Sequence, residues 1–142
     1  PFGERRISLS EGLNSLKNIL NHALELKSPL FIYNLPKESN EILKGFFEEF
    51  HRRRIKRKIP LKIIYDSKLI SLVKKTKKMD YTHARYLTKK ESKSSMIICG
   101  DKVIIIMWNT PISTILITNE DTADMYKAIF ETLWNEAEIH HE

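Results

Sequence analysis

A chain of 142 residues with 42% apolar and 30% charged side chains can bury a sizeable core, which excludes an intrinsically disordered protein. The longest apolar run, residues 103–108, is far shorter than the roughly 20 residues a helix needs to cross a bilayer. The single cysteine, Cys99, excludes an internal disulfide framework, and the net charge of +6 permits anionic partners without demanding them.

Leu9, Leu13, Leu16, Ile19, Leu20, Ala23 and Leu24 recur at three and four residues and predict a first amphipathic helix, with Ser8 and Glu11 as its capping box. Pro29 ends that helix, residues 30–33 read as a short buried strand, and Asn34-Leu35-Pro36 reads as a loop. A second helix carries Ile42, Leu43, Phe46, Phe47 and Phe50 and runs on into the basic stretch 51–58, which Pro60 stops. Residues 61–65 form the next strand, closing on Asp66. Residues 67–78 form a short helix ending in Lys74, Lys75, Lys77 and Lys78, where cations suit the helix dipole.

Residues 83–87 predict a strand and 89–93 a charged loop. Two apolar runs then pair as a hairpin about Gly100-Asp101, and residues 113–118 add one more strand. Asn119 caps a last helix, with Glu120 and Asp121 in its first turn and Ala123, Tyr126, Ile129, Phe130, Leu133, Trp134 and Ala137 facing inward. The order α-β-α-β-α-β-β-β-β-α predicts an α/β fold, a mixed β-sheet flanked by helices, ordered over about residues 8–137 and frayed at 1–7 and 138–142.

Two readings compete for the basic run. Arg52, Arg53, Lys56, Arg57 and Lys58 offer a surface for phosphate contacts through counterion release. Equally, the run is a solvated helix end with one arginine held by a carboxylate such as Asp66 or Glu48. The histidines at 22, 51, 83, 140 and 141 form no His-x-x-x-His pair and there is no Cys-x-x-Cys, so neither a metal nor a cofactor is expected. Cys99 reads as a buried structural thiol, and Met96, Met107 and Trp108 as core. Trp108-Asn109-Thr110-Pro111 also stands where a strand leaves the sheet, a place where α/β folds hold ligands.

Set on Asp101, residues 94–101 resemble the His-x-Lys-x-x-x-x-Asp signature of the phospholipase D superfamily, with Ser94 at the nucleophile position and Met96 at the lysine position. A hydroxymethyl and a thioether cannot attack a phosphodiester or neutralise its oxygens as imidazole and ammonium do, so no enzyme is expected. Further stretches resemble one branch of that fold. They are Phe46-Phe47-Glu48-Glu49-Phe50-His51-Arg52-Arg53-Arg54-Ile55 with Ile59-Pro60-Leu61-Lys62-Ile63-Ile64-Tyr65, then Arg85-Tyr86-Leu87, Gly100-Asp101-Lys102-Val103 and Met107-Trp108, and a closing Phe-x-x-x-Trp-x-x-Ala pattern over Phe130, Trp134 and Ala137.

In order and spacing, from about residue 10 to 137, these resemble the C-terminal effector domain of TrmB-like archaeal transcriptional regulators. The resemblance implies a phospholipase D-like layer sandwich that binds an effector and helps to dimerise, while a separate N-terminal winged-helix domain binds promoter DNA. By that resemblance residues 1–142 read as a single regulatory domain of a cytoplasmic protein, and the winged-helix domain is expected in the full-length protein but not in this chain, which starts at Pro1 without Met. Some members of the family bind sugars through an additional C-terminal subdomain, so sugar is not carried over.

The expected site therefore lies at the strand ends near Asn34, Asp66, Ser94, Asp101 and Asn109, with Arg54 or Arg85 neutralising an anionic group on an unidentified small-molecule effector. The expected partners are a second copy of the chain, in a homodimer, and DNA through the separate domain, with no membrane. The alternatives are a nucleic-acid-binding module acting through residues 52–58, and a diverged phosphodiesterase or nuclease with His83 as nucleophile.

Overall fold

The computed structural model describes residues 6–140. In chain order the strands are β1 (Ile7–Glu11), β2 (Leu30–Tyr33), β3 (Leu61–Asp66), β4 (Thr82–Leu87), β5 (Ser94–Cys99), β6 (Lys102–Met107) and β7 (Ser113–Thr118). The helices are α1 (Leu13–Glu25), α2 (Lys37–Ile42), α3 (Phe46–Lys56), α4 (Ile70–Thr76) and α5 (Glu120–Glu136). All the strands join one mixed sheet in the order β1-β7-β6-β5-β2-β3-β4, with β2, β3 and β4 parallel and the remaining pairs antiparallel.

Apolar residues alternate along these strands, so each face of the sheet has its own core. On one side Leu16, Leu20 and Leu24 of α1, Phe47 and Phe50 of α3 and Val73 of α4 meet Leu61, Ile63, Ile97 and Ile104. On the other, Ala123, Phe130 and Trp134 of α5 cover Ile64, Ile98 and Val103. Phe130 meets Phe31 edge-on, ring centroids 5.3 Å apart.

The start of the chain departs from expectation. Ser8 and Glu11 form no capping box; they lie in β1, which pairs with β7 through Ile7 and Ile117, Leu9 and Ile115. Gly12, at φ 95°, turns the chain between β1 and α1, a left-handed backbone angle that residues with a side chain rarely adopt. Leu9 happens to continue the helical spacing of α1, and that coincidence hides the period-two alternation of Ile7-Ser8-Leu9-Ser10-Glu11. The second predicted helix is two: Gly45, at φ 81°, separates α2 from α3. The other chain end is tied down by a bridge between Glu138 and Tyr86, each donating its amide to the other's carbonyl (2.8 and 3.0 Å). Residues 1–5 and 141–142, also expected to fray, lie outside the described residues.

The cap of α5 follows expectation, with Asn119 Oδ1 accepting from the Thr122 amide at 2.9 Å. Asn119→Ala leaves that amide without its partner and should cost about 1 kcal/mol, a few degrees in Tm by thermal denaturation. Ile129 is not inward as the helical spacing suggests; it is 46% exposed on the flank of α5.

Candidate functional site

The strand directions bring a defined set of residues to one end of the sheet. The parallel β2 and β3 finish there, and the antiparallel β5 begins there. Asn34 follows β2 with φ 64°, a left-handed conformation that asparagine tolerates better than most residues. Its Nδ2 donates to the carbonyls of Ser92 (2.9 Å) and Ser94 (2.7 Å), and its Oδ1 accepts from Lys89 Nζ. One buried side chain thus fastens the loop between β4 and β5 to the sheet.

Asp66 ends β3, also buried. Its Oδ1 accepts from the Lys68 amide at 3.0 Å, while Oδ2 is buried and has no hydrogen-bond partner among the described residues. The Lys89 ammonium stands 5.5 Å from the centroid of the Tyr33 ring. Burial lowers the Lys89 pKa, with the Asp66 and Glu91 carboxylates acting against it; burial and then the Asp66 charge raise that of the Tyr33 phenol. Beside this cluster lies a pocket of about 490 Å³, walled by Asn34, Pro36, Asp66, Leu69 and Ser92 and rimmed by Lys37, Glu38, Lys68, Glu91 and Lys93. Two ion pairs cross the rim, Lys68–Glu91 at 3.1 Å and Lys93–Glu38 at 3.6 Å.

Of the residues expected at this site, Asn34, Asp66 and Ser94 come together. Ser94 pairs with Met107 across the hairpin, and Asn109 follows as an exposed residue at the same end. Asp101 does not join them. It sits in the β5–β6 turn, at the far end of the hairpin, with its carboxylate 3.2 Å from Lys102 Nζ. Trp108 is core, its indole Nε1 donating to Ser95 Oγ at 2.8 Å.

Neither arginine reaches the pocket. Arg54 is wholly buried; its guanidinium donates to the carbonyls of Ile59 (2.9 Å) and Tyr81 (3.3 Å), to Thr82 Oγ1 (2.6 Å) and to His51 Nδ1 (3.3 Å). Arg85 donates to the Trp134 carbonyl at 2.8 Å and covers the Trp134 ring at 4.4 Å, holding the end of α5. The cations at this end of the sheet are Lys89, held against Asn34 and the Tyr33 ring, and the rim lysines Lys37, Lys68 and Lys93. His83, the alternative nucleophile, is exposed on the edge strand β4 and pairs with Lys62 near the start of β3, away from Asp66.

In the basic run, Arg52 is held by Glu49, not by Glu48 or Asp66, and Arg53 donates to Asn21. Lys56, Arg57 and Lys58 are exposed. Cys99 is fully buried, and burial pushes its thiol up to about 11, which leaves it inert as a nucleophile at neutral pH. Among the described residues no cluster of His, Cys, Asp and Glu could hold a metal ion, and no helix is long and apolar enough to cross a membrane.

Burial, then the Arg54 and Lys75 charges, hold the His51 imidazole at about 4 against an ordinary 6.5. The folded-state value is depressed, so the unfolded chain takes up the proton first as pH falls below 6.5. The resulting stability is complete above pH 6.5 and is lost as pH falls towards 4, by roughly 2–3 kcal/mol. Urea midpoints at pH 7 and 4.5 test this: His51→Gln should lose clearly less stability over that interval than the wild type.

The strand order and the helices on both faces define a phospholipase D-like fold, and three solved structures share it. TrmBL2, an archaeal chromatin protein whose structure shows a novel mode of DNA binding, aligns over 98% of this chain with a TM-score of 0.70 and 17% identity. This chain spans 53% of TrmBL2. NucT from Helicobacter pylori aligns at TM-score 0.72 and 14% identity, over 94% of this chain and 98% of its own. Nuc, a phospholipase D family member from Salmonella typhimurium, aligns at TM-score 0.60 and 12% identity, over 96% and 99%. No family model and no curated protein matches the sequence.

Proposed function

We propose that the chain is the non-catalytic, effector-binding domain of a TrmB-like transcription regulator. The observation that carries this reading is chemical. The positions that align with the nucleophile and lysine of the phospholipase D signature are Ser94 and Met96, and Met96 belongs to the apolar cluster under α5. A 490 Å³ pocket with a buried, unpartnered carboxylate oxygen stands at the same end of the sheet. The combination suits holding a ligand and not turning it over. The likeness to half of TrmBL2 supports the regulator class. The second reading, a diverged phosphodiesterase, has near full-length likeness to Nuc in its favour and no nucleophilic imidazole at position 94.

The ligand best suited to the pocket is a small anion that also carries a hydroxyl or ammonium group. Its donor would satisfy Asp66 Oδ2, and its negative charge would sit among Lys37, Lys68 and Lys93, which line the pocket. Such a ligand competes with Glu38 and Glu91 for the rim lysines and so resets the loop before β5. An effector that binds two arrangements of that loop unequally shifts their populations, and the difference in affinity is the signal passed on.

A homodimer is part of the proposal. Ile7 and Leu9 are each 68% exposed on the same sheet face as α5, whose Met125 and Ile129 are 54% and 46% exposed, and a second copy would cover this apolar strip. DNA contact would belong to a separate winged-helix domain of a cytoplasmic full-length protein.

A thermal-shift screen of hydroxylated anions, amino acids and duplex DNA tests the reading. An effector at a hundred times its Kd adds about 2.7 kcal/mol of stability, and Asp66→Asn should abolish the shift. Stabilisation by DNA alone, fading as salt rises, would replace the sensor with a basic nucleic-acid-binding module.

A further inference from the structure

A second cleft, of about 350 Å³, opens between α2, α3 and α4, and it shares no lining residue with the strand-end pocket. Leu35, Leu43, Phe47, Leu72 and Met79 give it an apolar wall, with the hydrogen-bonded Tyr65 and Thr76 hydroxyls (2.9 Å) buried among them. That volume is at the lower end for ligand sites, the size of an amino acid and small for a nucleotide.

The polar groups have a definite arrangement. His51 lines the cleft, stacked on Phe47 with ring centroids 6.2 Å apart. Its Nδ1 accepts from Arg54, which puts the imidazole proton on Nε2, a donor that makes no hydrogen bond among the described residues. The depressed pKa described above keeps the ring neutral and this tautomer fixed. Lys75 lies close enough to His51 to act on it, and with Lys44 it supplies two cations, while Glu41 and Glu48 supply two anions. None of these four forms an ion pair within the described residues. A groove with an apolar wall and unpaired charges of both signs matches a molecule that is itself apolar at one end and zwitterionic at the other.

We propose that the cleft binds an apolar α-amino acid. Its carboxylate meets Lys75 and the His51 Nε2 donor, its ammonium meets Glu48, and its side chain lies along Leu43, Phe47 and Leu72. This site stands independently of the strand-end reading: either can fail while the other holds.

Amide NMR spectra of the full chain, titrated with L-phenylalanine, phenylpropionate and phenethylamine, test the assignment. L-Phenylalanine should shift the Leu43, Phe47 and Leu72 amides saturably, and each analogue, lacking one charge, should bind about tenfold more weakly. Lys75→Gln should weaken L-phenylalanine and phenylpropionate and leave phenethylamine unchanged; Glu48→Gln should weaken L-phenylalanine and phenethylamine and spare phenylpropionate. Both side chains are exposed, so the variants' own spectra confirm folding. Equal binding of the three probes would overturn the zwitterion assignment. No shift at these amides at tens of millimolar, or shifts at Asp66 and Glu91 instead, would overturn the site.

Discussion

Arg54→Met should be the most damaging single substitution at any polar residue discussed above, lowering stability by about 3–5 kcal/mol and Tm by roughly 10–15 °C. The guanidinium is wholly buried and spends its donors on the Ile59 and Tyr81 carbonyls, Thr82 Oγ1 and His51 Nδ1. The Ile59 carbonyl lies on the turn after α3, Tyr81 and Thr82 stand at the entry to β4, and His51 is one turn back in α3 itself, so one side chain ties the helix end to the sheet. Methionine fills much of the volume but strands the acceptors in a place water cannot reach. Burial lowers the Arg54 pKa to about 10, which still leaves it cationic at neutral pH. Arg54→Lys keeps the charge and loses the planar fork, and it should recover only part of the loss. Urea denaturation of the three proteins reads the ranking directly. A loss below 1 kcal/mol for Arg54→Met would refute the structural role.

The second large effect is at Asn34. Asn34→Ala removes two hydrogen bonds to the Ser92 and Ser94 carbonyls and the Lys89 partner, and it places alanine at φ 64°. The expected cost is about 3 kcal/mol. Asn34→Gly removes the same bonds without the left-handed penalty and should be about 1 kcal/mol less costly. In both variants the loop over residues 88–93 loses its anchor, so its amides should exchange faster while those of β3 keep their protection. Equal exchange in the loop before and after substitution would mean that Asn34 does not hold it.

Most of the architecture is legible in the sequence because the strands announce themselves. Six of the seven strands and the last helix were expected, the isoleucine-rich β3, β5, β6 and β7 from runs bounded by Pro60, Gly100 and Asn119, and the order of elements gave the mixed sheet between helices. What failed did so where two periodicities overlap. Leu9 fits both the spacing of α1 and the alternation of β1, and only the pairing with β7, more than a hundred residues away, decides between them. The site was half legible. Asn34, Asp66 and Ser94 stand at strand ends, which local patterns locate. Arg54 looked like an anion-binding group because it lies in a basic run; its burial depends on carbonyls supplied by Ile59 and Tyr81, which no local pattern reveals. Asp101 aligns with a motif residue yet lies a whole strand length from Ser94, since a turn residue and a strand-start residue of one hairpin occupy opposite ends. Lys89 was missed because a lysine in a charged loop reads as solvated until Asn34 Oδ1 and the Tyr33 ring are brought beneath it.

This phospholipase D-like fold is proposed to hold a ligand without cleaving a phosphodiester. Release of nitrophenolate from bis(p-nitrophenyl) phosphate by the full chain tests it most directly. The rate should be indistinguishable from buffer in the wild type, in Ser94→Ala and in His83→Ala alike. Turnover above buffer that disappears in either variant would contradict it and restore the enzyme.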